Sequence, residues 1–400
     1  MRCCQAVAEP LGLLLLRSFG DRELIKLTPM IVLAVVGNSV LYLVPLLLGA
    51  MVTDRGFSEV QAGFLASADL CGFALSTLLT AVLVDRWRQR DIAIAGGVIM
   101  IVANSLTTGI HDLTPFAAVR FVSGFGCGFL VAISSVALGR EEKPDRNFGL
   151  FYAASLLFST VAFWVLPPII DVFKLNSVYW LLAALALISI PFSMALPERG
   201  PPPRSSATFS GQQRWLLAGT MLVTVVTFLA QQGALWAYLE RIGNRAGLSS
   251  VFIGFTLGCA TLTGFAGASM VAWAGSRFDR RMLLLVTMVV EILALGALFG
   301  RPGAAVFLVA NTILALCWNI VNPLQLGILA DVDATGKALA LAATATGTGM
   351  ALGPSIAALT LNAQGYEMLL VTVGALTVLS VGLMIAVLRA GTFRREIMAP

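Results

Sequence analysis

Charge is what this 400-residue chain has least of: Asp, Glu, Lys and Arg make up 12% of it, against 58% hydrophobic residues. A soluble chain carries about 25% charged and about 45–50% apolar residues. So much apolar surface cannot be hidden in one water-washed core, and the mean hydropathy of +0.89 says that much of it faces lipid. Histidine is almost absent. The single His111 sits at a helix end, which excludes a zinc site or a His-based triad. The six cysteines have no metal spacing. Cys3 and Cys4 are adjacent, and Cys71, Cys127, Cys259 and Cys317 fall inside apolar runs, where thiols pack as small apolar groups. No metal or cofactor is expected. A Gly-x-x-x-x-Gly-Lys-Ser/Thr loop is missing, which excludes a primary pump, and no His-Glu-x-x-His motif or paired intramembrane acids point to an enzyme. The net charge of +5 does not signal nucleic acid either, because Lys and Arg lie in short loops and tails with no long basic stripe.

What the chain does have is a series of apolar runs, each close to the ~20 residues that cross a bilayer as a helix. They fall at roughly 30–52, 62–84, 92–110, 114–138, 148–173 and 177–196, then at 215–239, 250–273, 282–299, 304–329, 337–361 and 367–388. The expectation is an all-α polytopic membrane protein of twelve spanning helices. Residues 197–214, with Pro201, Pro202, Pro203, Ser205 and Ser206, read as a linker between a first six-helix bundle (29–196) and a second (215–389). Residues 1–28 and 390–400 read as tails. The apolar stretch Leu11–Leu16 is too short to span, and no small-residue cleavage site follows it.

Orientation follows from the basic residues. With the N-terminus inside, twenty Lys and Arg fall on the inner segments and five (Arg55, Lys174, Arg241, Arg245, Arg301) on the outer ones. Both tails and the linker are therefore expected to be cytoplasmic, in a plasma (inner) membrane. The two halves also repeat. Gly56-Phe-Ser-Glu-Val-Gln-Ala-Gly63 matches Gly247-Leu-Ser-Ser-Val-Phe-Ile-Gly254 at an offset of 191 residues, and the same offset carries Arg86 onto Arg277 and Arg90 onto Arg281. Ser58 with Gln61 predicts a capping box on the second helix, and Ser249 a cap on the eighth. Repeated halves put a solute site at their interface, near the membrane midplane.

The loop after the second span reads Ala81-Val-Leu-Val-Asp85-Arg86-Trp87-Arg88-Gln89-Arg90, and the fourth span carries Arg120-Phe-Val-Ser-Gly124-Phe-Gly126-Cys-Gly128. With these motifs the chain resembles the major facilitator superfamily, closest in pattern to its bacterial twelve-helix drug/proton antiporters. The resemblance implies that the 85–90 loop and its second copy (Arg277, Arg281) latch the halves together on the inner side, although a basic loop that sets topology reads the same way. It also implies that Arg120 is tied to proton transfer. The Gly-x-x-x-Gly-Pro motif that marks the fifth helix of drug antiporters is not there. That helix has Pro167 and Pro168, and the pattern stands instead in the eleventh as Gly349, Gly353 and Pro354. Both helices are read as movable gates or as packing devices.

Three ionisable residues lie deep in spans: Asp69, Arg120 and Glu291. Each costs roughly 2.5–3.5 kcal/mol at a helix centre, so each needs a partner or water. Asp69 and Arg120 sit at similar depth, ~10 Å below the outer boundary, and can pair. Such a pair is either a proton switch or a static brace. Glu291 is read as turning inward to hydrogen-bond within its own half, with a part in proton coupling as the alternative. The resemblance makes helices one, four, seven and ten the cavity lining, with Asn38 and Tyr42; Gln231, Gln232 and Trp236; and Asn311, Trp318, Asn322 and Gln325 as candidates. Amides mixed with aromatics suit a weakly charged organic ligand. The expected partners are a small organic substrate, protons and the lipid bilayer, with the chain acting as a monomer. The expected activity is proton-coupled efflux by alternating access. Uptake of an organic acid bound by Arg120 is the nearest alternative, and a transport-like membrane sensor the next.

Overall fold

The computed structural model describes residues 21–84, 86–141, 144–196, 212–274, 279–332, 337–361 and 366–397. They form twelve α-helices, with no strand among the described residues. The first six are α1 (Asp21–Arg55), α2 (Glu59–Leu83), α3 (Gln89–Thr107), α4 (Leu113–Arg140), α5 (Pro144–Phe173) and α6 (Asn176–Met194). The second six are α7 (Gln212–Arg245), α8 (Ser250–Ala274), α9 (Arg280–Ala297), α10 (Ala304–Val332), α11 (Lys337–Thr360) and α12 (Glu367–Ile397). Over their described residues nine of them are long and apolar enough to cross a membrane, and Ser250–Gly264 is a shorter apolar helical stretch. α9 is spanning in length but carries Arg280, Arg281 and Glu291 within its 18 residues. Helices are what lipid demands, because every backbone N–H and C=O must be satisfied within the segment.

Several helices run past the apolar runs. α1 reaches back to Asp21 and α7 extends to Arg245, so the charged residues read as loop belong to terminal helical turns. The turns that follow these two helices are built alike. Gly56 and Gly247 both take left-handed φ, +71° and +80°, at the repeat offset, which ends the helix at low cost in a residue without Cβ. Ser58 Oγ then accepts from Gln61 N (3.1 Å) while Gln61 Oε1 accepts from Ser58 N (2.9 Å). In the second copy Ser249 Oγ accepts from Phe252 N at 3.3 Å.

The chain is two pseudo-symmetric six-helix bundles. In the first, α4 packs on α1, α2 and α3; in the second, α10 packs on α8 and α9, and α11 on α7. The halves meet through α1 with α7, α2 with α11, and α5 with α8, a set that maps onto itself when the halves are exchanged. Glycines set the closest of these contacts. Gly124 of α4 faces the main chain of Asp69, Gly128 faces Ser76 and Phe73 on the same helix α2, and Gly126 faces Gly96 of α3. In the second half Gly349 and Gly353 of α11 lie on the backbone of α7 at Val226, Ala230 and Gly233. Small residues let helix backbones approach where apolar burial gives no drive in lipid. The α11 motif, read as a gate or a packing device, packs that helix onto α7, and the carbonyl of buried Pro354 faces Gly63 of α2.

Candidate functional site

The ends of the helices define two levels: a proximal end, where α1 begins and α12 finishes, and a distal end at the 56–58 and 247–249 turns. At the distal end the seam between halves is closed. Residues 36–40 and 43–51 of α1 and 228–240 of α7 are buried without interruption, whereas nearer the proximal end both helices show half-exposed residues, such as Ile31 and Val35, and Val226 and Thr227. The change comes at equivalent levels of the repeat.

Trp236 lies within the covered stretch of α7. Its Nε1 donates to the Leu41 carbonyl of α1 at 3.2 Å, and its ring stands edge-on to Phe163 of α5 and to Trp318 of α10, at 5.5 and 6.2 Å between centroids. Four helices from both halves therefore converge on one aromatic plug. Distal to it, Glu59 at the start of α2 accepts from Arg241 Nε (3.2 Å) and Nη2 (3.1 Å) and from the Tyr366 hydroxyl (2.5 Å), while Tyr238 donates to the Glu59 carbonyl at 2.7 Å. Tyr366 lies just outside its span; its burial, then its bond to the Glu59 carboxylate, hold its phenol well above the ordinary range. A second clasp joins α5 to α8, with Ser250 donating to Asp171 Oδ2 at 2.7 Å and Thr160 and Thr261 hydroxyls 2.9 Å apart. Pro167 packs on Gly254 of α8, so the α5 proline pair sits on this seam, with Pro168 exposed.

Asp69 and Arg120 meet inside the first half. Arg120 Nε donates to Asp69 Oδ2 at 3.0 Å and Nη2 donates to the same oxygen; Nη1 donates to Asn104 Oδ1 at 2.9 Å. The guanidinium lies 4.8 Å from the centre of the Tyr179 ring. Arg120 is 0% exposed and Asp69 3%, so α2, α3, α4 and α6 enclose the whole cluster, away from the seam. Glu291 is equally buried and turns inward: Oε1 accepts from Gln231 Nε2 (3.1 Å) and Gln232 Nε2 (3.0 Å).

Those two bonds change the reading of the polar candidates. Gln231 and Gln232 spend their amide donors on α9 instead of facing a solute. Asn311 donates to its own helix at Phe307 O (2.7 Å), and Gln325 is fully buried with its amide toward Thr224 O of α7 (3.5 Å). The stripe expected along α10 is thus split, because Asn311 and Gln325 lie against the bundle while Trp318 and Asn322 stay half-exposed. In α1, Asn38 is 7% exposed and Tyr42 half-buried, beside Tyr152 and Ser155 of α5. Tyr42, Tyr152, Trp318 and Asn322, at or proximal to the level of the plug, are among the polar and aromatic groups that keep accessible surface. In the loops, Asp85 and Arg277 lie outside the described residues. Arg86 is exposed and Arg90 half-buried, and Arg281 Nη2 donates to Leu388 O at 3.2 Å, a contact within the second half. A crevice of about 460 Å³ between α9 and α10 is walled by aliphatic side chains such as Leu293, Val306 and Ile313.

Sequence reasoning missed Glu240, Glu59 and Tyr366. Both acids fall just outside the apolar runs, where nothing in the spacing singles them out. The signal that could have found them was the repeat itself, since it places both helix ends at one level.

Three comparisons bear on this architecture. The "Multidrug resistance protein MdtL" of Escherichia coli K12 is 24% identical over 286 residues, covering 67% of this chain and 71% of its own, and that of Escherichia coli O17:K52:H18 matches to the same extent. Among solved structures, one described as giving insights into substrate recognition in proton dependent oligopeptide transporters superposes with a TM-score of 0.71 at 14% identity, over 93% of this chain and 99% of that one. A peptide transporter POT in complex with sulfate gives 0.73 at 14%, over 92% and 94%. At that identity the likeness speaks for the fold. The family profile described as Major Facilitator Superfamily matches residues 29–332. With twelve helices in two matched bundles and that match over most of its length, this chain belongs to the major facilitator superfamily: a multi-pass membrane transporter, not an enzyme.

Proposed function

We propose that the protein exports a small, mostly apolar organic compound in exchange for protons, by rocking its two six-helix halves (29–196 and 215–389) about a central site. Both termini and the linker lie on the cytoplasmic side of the plasma membrane, the distal end faces outside, and the chain works as a monomer. The observation that carries this reading is the seam itself: residues 36–40 and 43–51 of α1 and 228–240 of α7 are buried, while nearer the proximal end both helices carry half-exposed residues. That asymmetry is what one end-state of an alternating-access cycle looks like, closed outside and accessible from within. Tyr42, Tyr152, Trp318 and Asn322 then contact the solute through aromatic faces and few hydrogen bonds, which suits an uncharged or weakly charged ligand. The multidrug resistance naming of the MdtL relatives supports export.

Uptake of an organic acid bound by Arg120 fares worse, because that guanidinium is enclosed and already shared between Asp69 and Asn104. The same enclosure favours reading the Asp69–Arg120 pair as a brace of the first bundle over reading it as the proton carrier. The test is flux in proteoliposomes under an imposed pH gradient, screened over neutral aromatic compounds and lipophilic cations. Substrate should move against the proton flow. Flux that is blind to the gradient, or that runs with the protons, overturns the proposal.

A further inference from the structure

One ionisable group on the seam has no place in the site described so far. Glu240 of α7 is 9% exposed and lies against the backbone of α1 at Gly49. The fit leaves no room for a side chain at 49, since a Cβ built there would come within 3.0 Å of Glu240 Oε1 and closer still to Oε2. Oε2 has no hydrogen-bond partner among the described residues. Around it, Asn244 approaches from the next turn of α7 and Arg241 is the adjacent cation, half-buried Glu59 of α2 and exposed Asp171 of α5 are the neighbouring acids, and Arg245 at the same helix end lies over the Tyr366 ring. Arg241, however, turns its Nε and Nη2 to Glu59, and Asp171 takes the Ser250 hydroxyl. A carboxylate at 240 would therefore be a buried negative charge with one oxygen lacking a donor, beside a cation whose Nε and Nη2 are taken by Glu59. Burial without a partner disfavours the charged form of an acid.

We propose that Glu240 is a proton-binding site that gates the distal seam: the seam closes with Glu240 as the neutral acid and is driven open when Glu240 ionises. The inference rests on the transport reading above and adds to it the group that senses protons on the distal side. The step is a simple proton exchange. As α1 and α7 part, water reaches the carboxyl, its O–H bond breaks, the electron pair stays on the oxygen and the proton passes to water. Closure requires the reverse. Gly49 is part of the device, because any side chain there would hold the two helices apart.

The experiment is a distance measurement between spin labels at Val60→Cys and Val251→Cys, in full-length protein whose native cysteines are replaced, in lipid nanodiscs without added substrate. Both positions are exposed, one on the first turn of α2 and the other on that of α8. Raising the pH from about 5.5 to about 9, across the range in which a buried acid titrates, should shift the wild-type population from short to long distances. Glu240→Gln should lose that shift and stay short at both pH values. Glu240→Asp should keep it, and Gly49→Ala should lie long at both. His111→Gln, which alters a distal group held by Arg55, should respond like wild type. A Glu240→Gln variant that keeps the wild-type response, or a wild-type distance that ignores pH, overturns the assignment. Because flux in proteoliposomes is read separately on unlabelled protein, loss of the transport reading and loss of this site are told apart.

Discussion

If the Asp69–Arg120 pair is a brace, breaking it should cost folding free energy in a pattern that a proton carrier would not follow. Arg120 makes two bonds to Asp69 and one to Asn104 and stacks on Tyr179, all inside a cluster with essentially no solvent exposure. Arg120→Met removes every donor from Asp69 Oδ2, and Oδ1 has none to begin with. Stranding one charge of a buried pair costs ~3–5 kcal/mol, while replacing both partners by apolar residues of similar size is often neutral. Arg120→Met and Asp69→Leu should therefore each lose ~3–5 kcal/mol, and the double variant should lose less than either, a coupling of several kcal/mol carried by one contact. Reversible unfolding in mixed micelles, followed by tryptophan fluorescence, reads all four corners of the cycle. Single variants within ~1 kcal/mol of wild type, or a double variant that is merely the sum of the two, would refute the brace, since exposed pairs behave that way. A milder variant adds a functional check: Asp69→Asn should lower stability and leave the number of protons exchanged per solute unchanged.

Other outcomes follow from the same geometry. Gly353→Leu would drive a side chain into Gly233 C (2.6 Å from an ideal Cβ) and Ala230 O (2.7 Å), and overpacking of this kind, costing ~1–3 kcal/mol or more, should lower the yield of monodisperse protein in detergent. Gly56→Val meets no atom within 4 Å, so its cost comes from the left-handed backbone alone, ~1–2 kcal/mol, and a matching loss at Gly247→Val would confirm that the two turns are equivalent in energy as well as in form. Glu59→Gln keeps a hydrogen-bond acceptor for Tyr366 but removes the charge that holds Arg241; labels across the distal seam should then report a larger open fraction, and an unchanged fraction would exclude Glu59 from the seal.

Much of the fold was legible because its cause is local. The bilayer sets the length of an apolar run, and the repeated Gly–x–Ser turns announce where the second and eighth helices start. The capping box at Ser58 and Gln61 and the glycine at each helix end follow from backbone chemistry that needs only neighbours in sequence. The polar candidates were harder for a physical reason. An amide in a helix satisfies its donor with whatever lies across from it, and spacing along one helix does not say what that is. Gln231 and Gln232 have the spacing of cavity residues, yet their donors go to Glu291, 60 and 59 residues away in sequence.

From the sequence alone came the membrane, the helix count, the two-fold repeat and the family, because each depends on hydrophobicity and short-range spacing. Tertiary structure alone decided which charges are buried together, which glycine faces which carbonyl, and that the halves are closed at the distal end. Glu240 shows the difference most plainly: along the chain it is one acid beside an arginine at a helix end, and only the docking of α7 onto Gly49 of α1 takes it out of water.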